Sequence, residues 1–115
     1  MQIAIESPRP GITVIRPAGT LDMNSVPAFR QQLETQTKHV QHGLILAMDA
    51  VQFMDSAGIA VLIEGLKWCR SRDVPYILTE LTQAVQMVIE LARLDNFFTI
   101  AASLDDAIAQ LVTTS

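Results

Sequence analysis

Apolar and polar positions alternate from the start of the chain: Ile3 and Ile5 are spaced by polar or small neighbours, and Ile12, Val14 and Arg16 keep the same period of two. Successive strand side chains point to opposite faces, so Gln2 to Glu6 and residues 12 to 16 are predicted as two half-buried strands. Pro8-Arg9-Pro10-Gly11 turns the chain between them and makes the pair antiparallel. Pro17 has no N–H to donate and is expected to end the ladder or mark a bulge. Gly19-Thr20-Leu21-Asp22 then reads as a loop. Asn24 or Ser25 can cap a helix running to about Lys38, with Pro27 in its first turn and Val26, Phe29, Leu33 and Val40 on its apolar face.

Leu44-Ile45-Leu46-Ala47-Met48 is apolar without alternation, the pattern of a parallel strand covered on both faces. It leads into Val51 to Arg72, VQFMDSAGIAVLIEGLKWCRSR, read as a short polar hinge, Asp55-Ser56-Ala57-Gly58, followed by an amphipathic helix. At about 100° per residue, Ile59, Leu62, Ile63, Leu66 and Cys69 share one side and are expected to face the sheet. Ala57, Val61, Glu64 and Trp68 share the other. An apolar Val61 and Trp68 on a solvent side predict a patch for a partner, the alternative being a tryptophan folded against a neighbouring loop.

Beyond the break at Asp73-Val74-Pro75, Tyr76-Ile77-Leu78 reads as another buried strand. Thr82 can cap a helix carrying Val85, Val88, Ile89 and Ala92 at i, i+3, i+4, i+7, which Asp95-Asn96 ends. A short strand over Phe97 to Ala101 is followed by Ser103 and Asp106, a capping arrangement for a last helix striped by Leu104, Ala107, Ile108 and Leu111. The order ββαβαβαβα implies a single α/β domain over residues 1–115, a mixed β-sheet packed with α-helices.

Composition narrows the function. Half of the 115 residues are hydrophobic, enough for one core, and the net charge is −4. Nucleic-acid binding by backbone neutralisation needs clustered Lys and Arg, and no cluster is present. No apolar run approaches the roughly 18 residues of a membrane span, and the start does not resemble a signal peptide, so a cytoplasmic protein without membrane insertion is expected. Cys69 is the single cysteine and agrees with a reducing compartment. His39 and His42 lack the Cys or acidic neighbours of a metal site, and Met23, Met48, Met54 and Met87 read as core or edge filler. There is no Gly-rich phosphate loop ending in Lys-Ser/Thr and no Gly-x-Ser-x-Gly elbow, and adjacent Asp55 is poorly placed as a base for Ser56. A binding protein without cofactor is expected rather than an enzyme.

The hinge holds the remaining chemistry. A helix start exposes unpaired N–H groups and the positive end of the dipole, which suits either a capping side chain or an anion such as phosphate. Ser56 fits both uses. Asp22 can stabilise its own turn or act at the site, and Asp55 can answer the helix dipole.

The run Val51-Gln52-Phe53-Met54-Asp55-Ser56-Ala57-Gly58-Ile59, with Gly19-Thr20-Leu21-Asp22 upstream and Leu91 to Phe97 and Ser103-Leu104-Asp105-Asp106-Ala107 downstream, resembles the STAS domain of anti-sigma factor antagonists. The resemblance spans nearly the whole chain. It implies that the unphosphorylated protein captures an anti-sigma factor, often a serine kinase, and so frees a sigma factor. Phosphorylation of the hinge serine, which matches Ser56, would end the capture, and a serine phosphatase would restore it. By the resemblance Asp22 would sit near that serine and contribute to the partner surface; with the hinge residues and the two apolar positions read from the helix wheel, the expected partner surface comprises Asp22, Asp55, Ala57, Gly58, Val61 and Trp68. Two positions depart from the antagonist pattern: Trp68 stands where a polar or basic residue is expected, and Glu80 replaces an asparagine common after the strand ending near Leu78. They favour an alternative, a constitutive STAS adaptor or small-ligand module such as a cytoplasmic subunit of a transport complex, with Ser56 only a cap.

Overall fold

A hairpin opens the computed structural model, which describes residues 1–113. β1 (Gln2–Arg9) and β2 (Ile12–Leu21) pair antiparallel, as the alternation predicts, but both run further. Pro17 lies inside β2, opposite Ile3, rather than at its end. The reason is where β2 changes neighbours: its last parallel pair with β3 (Gly43–Ala47) is at Ile15, and its first with β4 (Val51–Met54) is at Gly19. The missing N–H falls in the gap between the two parallel ladders. Gly19 to Leu21 are accordingly strand, not loop.

β4 was not legible as a strand. Four residues are too few to show a period, and Gln52 and Phe53 are exposed in succession between buried Val51 and Met54. It is β4, not β3, that leads into α2 (Ser56–Ser71). The order is therefore ββαββαβαβα among the described residues, with the sheet arranged β1-β2-β3-β5-β6 and β4 attached to β2. β3 is buried at every position, and so is β5 (Tyr76–Thr79), which fits parallel strands covered on both faces.

One face of the sheet, through Ile15, Leu44, Leu46, Tyr76 and Leu78, packs under α1 (Val26–His39) and α2. The other, through Val14, Ile45, Ala47 and Ile77, packs under Ala107 and Leu111 of α4 (Leu104–Thr113). α3 (Gln83–Leu91) sets Val85 and Ile89 into the first core beside Val51 and Met54 of β4. Thr82 caps it, accepting from the Val85 N–H at 3.3 Å while its hydroxyl donates to the Val51 carbonyl at 3.1 Å. The helix stops at Leu91, before Asp95-Asn96, as Arg93 takes a left-handed φ of 60°. β6 (Thr99–Ala101) starts two residues after Phe97, and Ser103 caps α4 through the Asp106 N–H at 3.1 Å.

Glu80 also has a left-handed backbone, φ 58°, a conformation asparagine tolerates better than most residues. Here the longer side chain is used: one carboxylate oxygen accepts from the Leu104 N–H at 3.1 Å, tying the end of β5 to the start of α4.

Candidate functional site

β2 and β4 run parallel and finish level, Leu21 beside Met54. Asp22 and Asp55 therefore follow at the tips of neighbouring strands, which lie about 4.8 Å apart in a sheet. The Asp55 N–H donates to the Leu21 carbonyl at 3.2 Å and holds the two tips together. Asp55 has extended backbone, φ −103° and ψ −169°, and its Oδ1 accepts from the N–H groups of Ala57 at 2.9 Å and Gly58 at 3.2 Å. That is the geometry of an N-cap.

Ser56, expected as a possible cap, is displaced from that role by its neighbour. It is the first residue of α2, so its own backbone is already helical and its side chain cannot fold back on the next amides. The side chain is exposed and hydrogen-bonds to no described residue.

Asp22 does stabilise its turn: Oδ1 accepts from the Asn24 N–H at 2.9 Å and the Ser25 N–H at 3.1 Å. Ser25, at the N-cap position of α1, uses its hydroxyl otherwise. It accepts from the Asp22 N–H at 3.0 Å and donates to the Thr20 carbonyl at 2.7 Å. None of the ion pairs among the described residues includes Asp22 or Asp55. The tip is thus a small acidic rim held by amides, with a hydroxyl standing beside it.

Gly58 lies beneath this rim rather than on it. It is buried, and a Cβ there would come within 2.7 Å of the Leu21 carbonyl oxygen and 2.8 Å of Met54 Cγ. The backbone that Gly58 admits is that of β2, which brings the first turn of α2 down onto the strand end, and the residue offers no surface to a partner. Ala57 is partly buried and packs against the main core.

The expected patch along α2 is closed. Val61 is fully buried, and Trp68 is partly buried, resting in a groove with Glu34, Thr37 and Lys38 of α1 and with Ser71 and Arg72. Glu64 forms a two-pronged ion pair with Arg30, Nε to Oε2 at 3.0 Å and Nη2 to Oε1 at 2.9 Å. The Arg72 guanidinium donates to the Thr37 carbonyl. The side of α2 turned away from the sheet is turned toward α1, and periodicity alone does not reveal a second helix as the cover. Ile59 and Ile63, expected against the sheet, are only partly buried, so the buried stripe is rotated onto Gly58, Val61, Leu62, Gly65, Leu66 and Cys69. Tyr76 reaches from β5 to donate to the Leu62 carbonyl at 2.9 Å. Burial pushes the Cys69 thiol up to about 11, against a small opposing effect of Arg72, and burial also raises the Tyr76 hydroxyl, helped by Cys69.

Two residues beside the rim were not read as partner surface from the sequence. Met23, next to Asp22, is 72% exposed, and Phe53, which pairs with Thr20 two residues before Asp55, is 50% exposed. Met48 and Met54 are core, as expected of filler, but Met23 and Met87 are not. The available signal was position: each large apolar side chain sits within two residues of Asp22 or Asp55.

Residues 6–107 match the STAS domain family. The chain belongs to that family. Over 117 aligned residues this STAS protein is 24% identical to the anti-sigma F factor antagonist of Paenibacillus polymyxa, an alignment covering 100% of the chain and 98% of the relative. It is similar to the crystal structure of an anti-sigma factor antagonist from Mycobacterium paratuberculosis, with TM-score 0.87 and 24% identity, covering 96% of this chain and 92% of that one. It is similar also to the anti-sigma factor antagonist SpoIIAA in its unphosphorylated form, with TM-score 0.82 and 21% identity over 97% of each chain. The Bacillus cell fate determinant SpoIIAA in its phosphorylated form gives TM-score 0.72 and 21% identity over 95% of this chain and 98% of that one. At these identities the solved structures establish the fold of the STAS domain.

Proposed function

We propose that this STAS protein is an anti-sigma factor antagonist, a cytoplasmic binding switch rather than an enzyme, whose capture of its partner is ended by phosphorylation of Ser56. The observation that carries the reading is the exposed, unbonded Ser56 hydroxyl at the first residue of α2, beside two carboxylates already committed to backbone amides. Family membership and the antagonist from Paenibacillus polymyxa support it, and SpoIIAA, of the same fold, exists in phosphorylated and unphosphorylated forms.

In the unphosphorylated state the rim offers a neutral hydroxyl, the apolar side chains of Met23 and Phe53, and the carboxylates of Asp22 and Asp55. Aromatic residues and methionine are enriched in protein interfaces, and here exposed Met23 adjoins Asp22 while exposed Phe53 lies two residues before Asp55. Ala57 adds no bulk beside it. The partner surface is accordingly Asp22, Met23, Phe53, Asp55, Ser56 and Ala57. Gly58, Val61 and Trp68 leave the partner set expected from the sequence.

A phosphate on Ser56 brings about −1.5 to −2 units of charge at neutral pH. The positive end of α2 tolerates it, so the fold persists. The Ala57 and Gly58 amides are already held by Asp55, so the phosphate stays at the surface, next to like charge and in the middle of the contact. Burying it against a partner leaves it desolvated and repelled, which ends binding. The partner is an anti-sigma factor of the serine kinase type, and a serine phosphatase resets the switch. No helix among the described residues is long and apolar enough to cross a membrane.

The test is recovery of the protein from its native cells with and without bound partner, followed by mass spectrometry of the hinge peptide. Phosphate on Ser56 is expected in the unbound pool and not in the bound one. Equal phosphate in both pools would contradict the switch and favour a constitutive adaptor.

A further inference from the structure

Among the outer strands of the sheet, β6 has three residues and β4 four, too short to template a lasting strand pair. β1 has eight, and all but Ile3 are exposed. Sheet edges of this length are ordinarily guarded by lysine, proline, a bulge or an unpaired charge. From Gln2 to Glu6 β1 has none of these. Pro8 and the irregular register come only after Glu6. Glu6 is the one charged side chain in the stretch, and it is already engaged by Arg16 of β2, Nε to Oε2 at 2.7 Å, in the same chain. Ile3 packs partly against the main core, and Ile5, on the same face two residues on, is left 41% exposed.

The stretch is complementary to itself. Laid antiparallel on a second copy with the two-fold axis at Ala4, Ile3 of each copy stands opposite Ile5 of the other and Gln2 opposite Glu6. Like charges never face, and the exposed Ile5 is covered from both directions. Moving the axis to Ile5 would set Pro8 opposite Gln2, where a ladder N–H is lost. The self-pairing is isologous, the symmetry that closes a dimer and leaves no further edge.

We infer that β1 is a homodimerisation edge, on which a second copy of this chain adds its own β1 antiparallel, centred on Ala4, to make one continuous sheet. Five paired residues bury less than the roughly 1,200–2,000 Å² of a stable interface, so the dimer is concentration-dependent. Each copy carries a net charge of −4, and salt screens the repulsion, with a Debye length of about 10 Å at 0.1 M and about 3 Å at 1 M. Salt therefore tightens the dimer.

Sedimentation velocity of the full chain over a concentration series, at low and high salt, tests the association. A monomer–dimer equilibrium that strengthens with salt is expected, and Ile5→Lys should weaken it at least tenfold without changing the melting temperature. The register is read by oxidising single-cysteine variants. Ala4→Cys meets itself across the axis with Cα atoms about 4.5–5.5 Å apart, within disulfide reach, and should cross-link. Gln2→Cys faces Glu6 and should not, and Cys69 is buried and does not compete. A monomer at every concentration would overturn the inference and leave the edge to an extended segment of another protein. Undiminished dimerisation of Ile5→Lys, or cross-linking of Gln2→Cys as readily as Ala4→Cys, would overturn it equally.

Discussion

The two ends of the surface expected for a partner on α2 behave oppositely. At its start, Asp55 takes the unpaired amides and Ser56 is left exposed with nothing to hold. Along its flank, Val61 is buried in the core, Trp68 sits against α1, and Arg30 and Thr37 of α1 engage Glu64 and Arg72. Both regions mix apolar and acidic residues, so composition does not separate them. Only the flank has a neighbouring helix to saturate it. The groups the fold leaves uncommitted lie at the helix start, which is why the proposed partner site is placed there.

Substitutions can break or sharpen that contrast. The largest effect is expected from Gly58→Ala, whose methyl group would press on the Leu21 carbonyl and Met54. Overpacking of this kind costs up to about 3 kcal/mol, seen as a lower midpoint in urea unfolding, and it should shift the rim enough to weaken binding too. Next, Val61→Ala and Trp68→Ala should each cost about 2 kcal/mol of stability and leave partner binding unchanged. Loss of binding by Trp68→Ala at full stability would reinstate the flank as an interface. Smaller still, Asp55→Ala should cost about 1 kcal/mol as a lost cap, whereas Ser56→Ala should fall within about 0.5 kcal/mol of wild type. The reverse ranking would return the capping role to Ser56.

A last and modest effect concerns pH. The folded state holds the Cys69 proton up to about 11, above the ordinary thiol value, so the unfolded chain loses its proton first. Stability from this group is complete below the unfolded pKa and declines as pH rises through the folded one. Denaturant midpoints should drop between roughly pH 8.5 and 11, and Cys69→Ala should remove that part of the slope.

Long periodic segments were legible in the sequence. Val26, Phe29 and Leu33 did mark the buried face of α1, the unbroken apolar run of β3 did mean burial on both sides, and Thr82 and Ser103 do cap their helices. What escaped was decided by tertiary partners. β4 is too short to carry a period, and Pro17 is tolerated because β2 changes neighbours there. The stripe on α2 was misjudged because α1 covers a face that a wheel assigns to solvent. At the hinge the capping role falls to a neighbour: Asp55 caps, and Ser56 does not. The contribution of Met23 and Phe53 depends on exposure, which neither residue type announces.

The central claim is that Ser56 governs binding without supporting the fold. Its most direct test is titration calorimetry of the unphosphorylated protein and its Ser56→Asp variant against the anti-sigma partner, with melting curves of both. The account predicts equal melting temperatures and a loss of affinity of about a hundredfold or more for Ser56→Asp, since a like charge within a contact costs several kcal/mol and about 1.4 kcal/mol is tenfold. Equal affinity of the two proteins would contradict it.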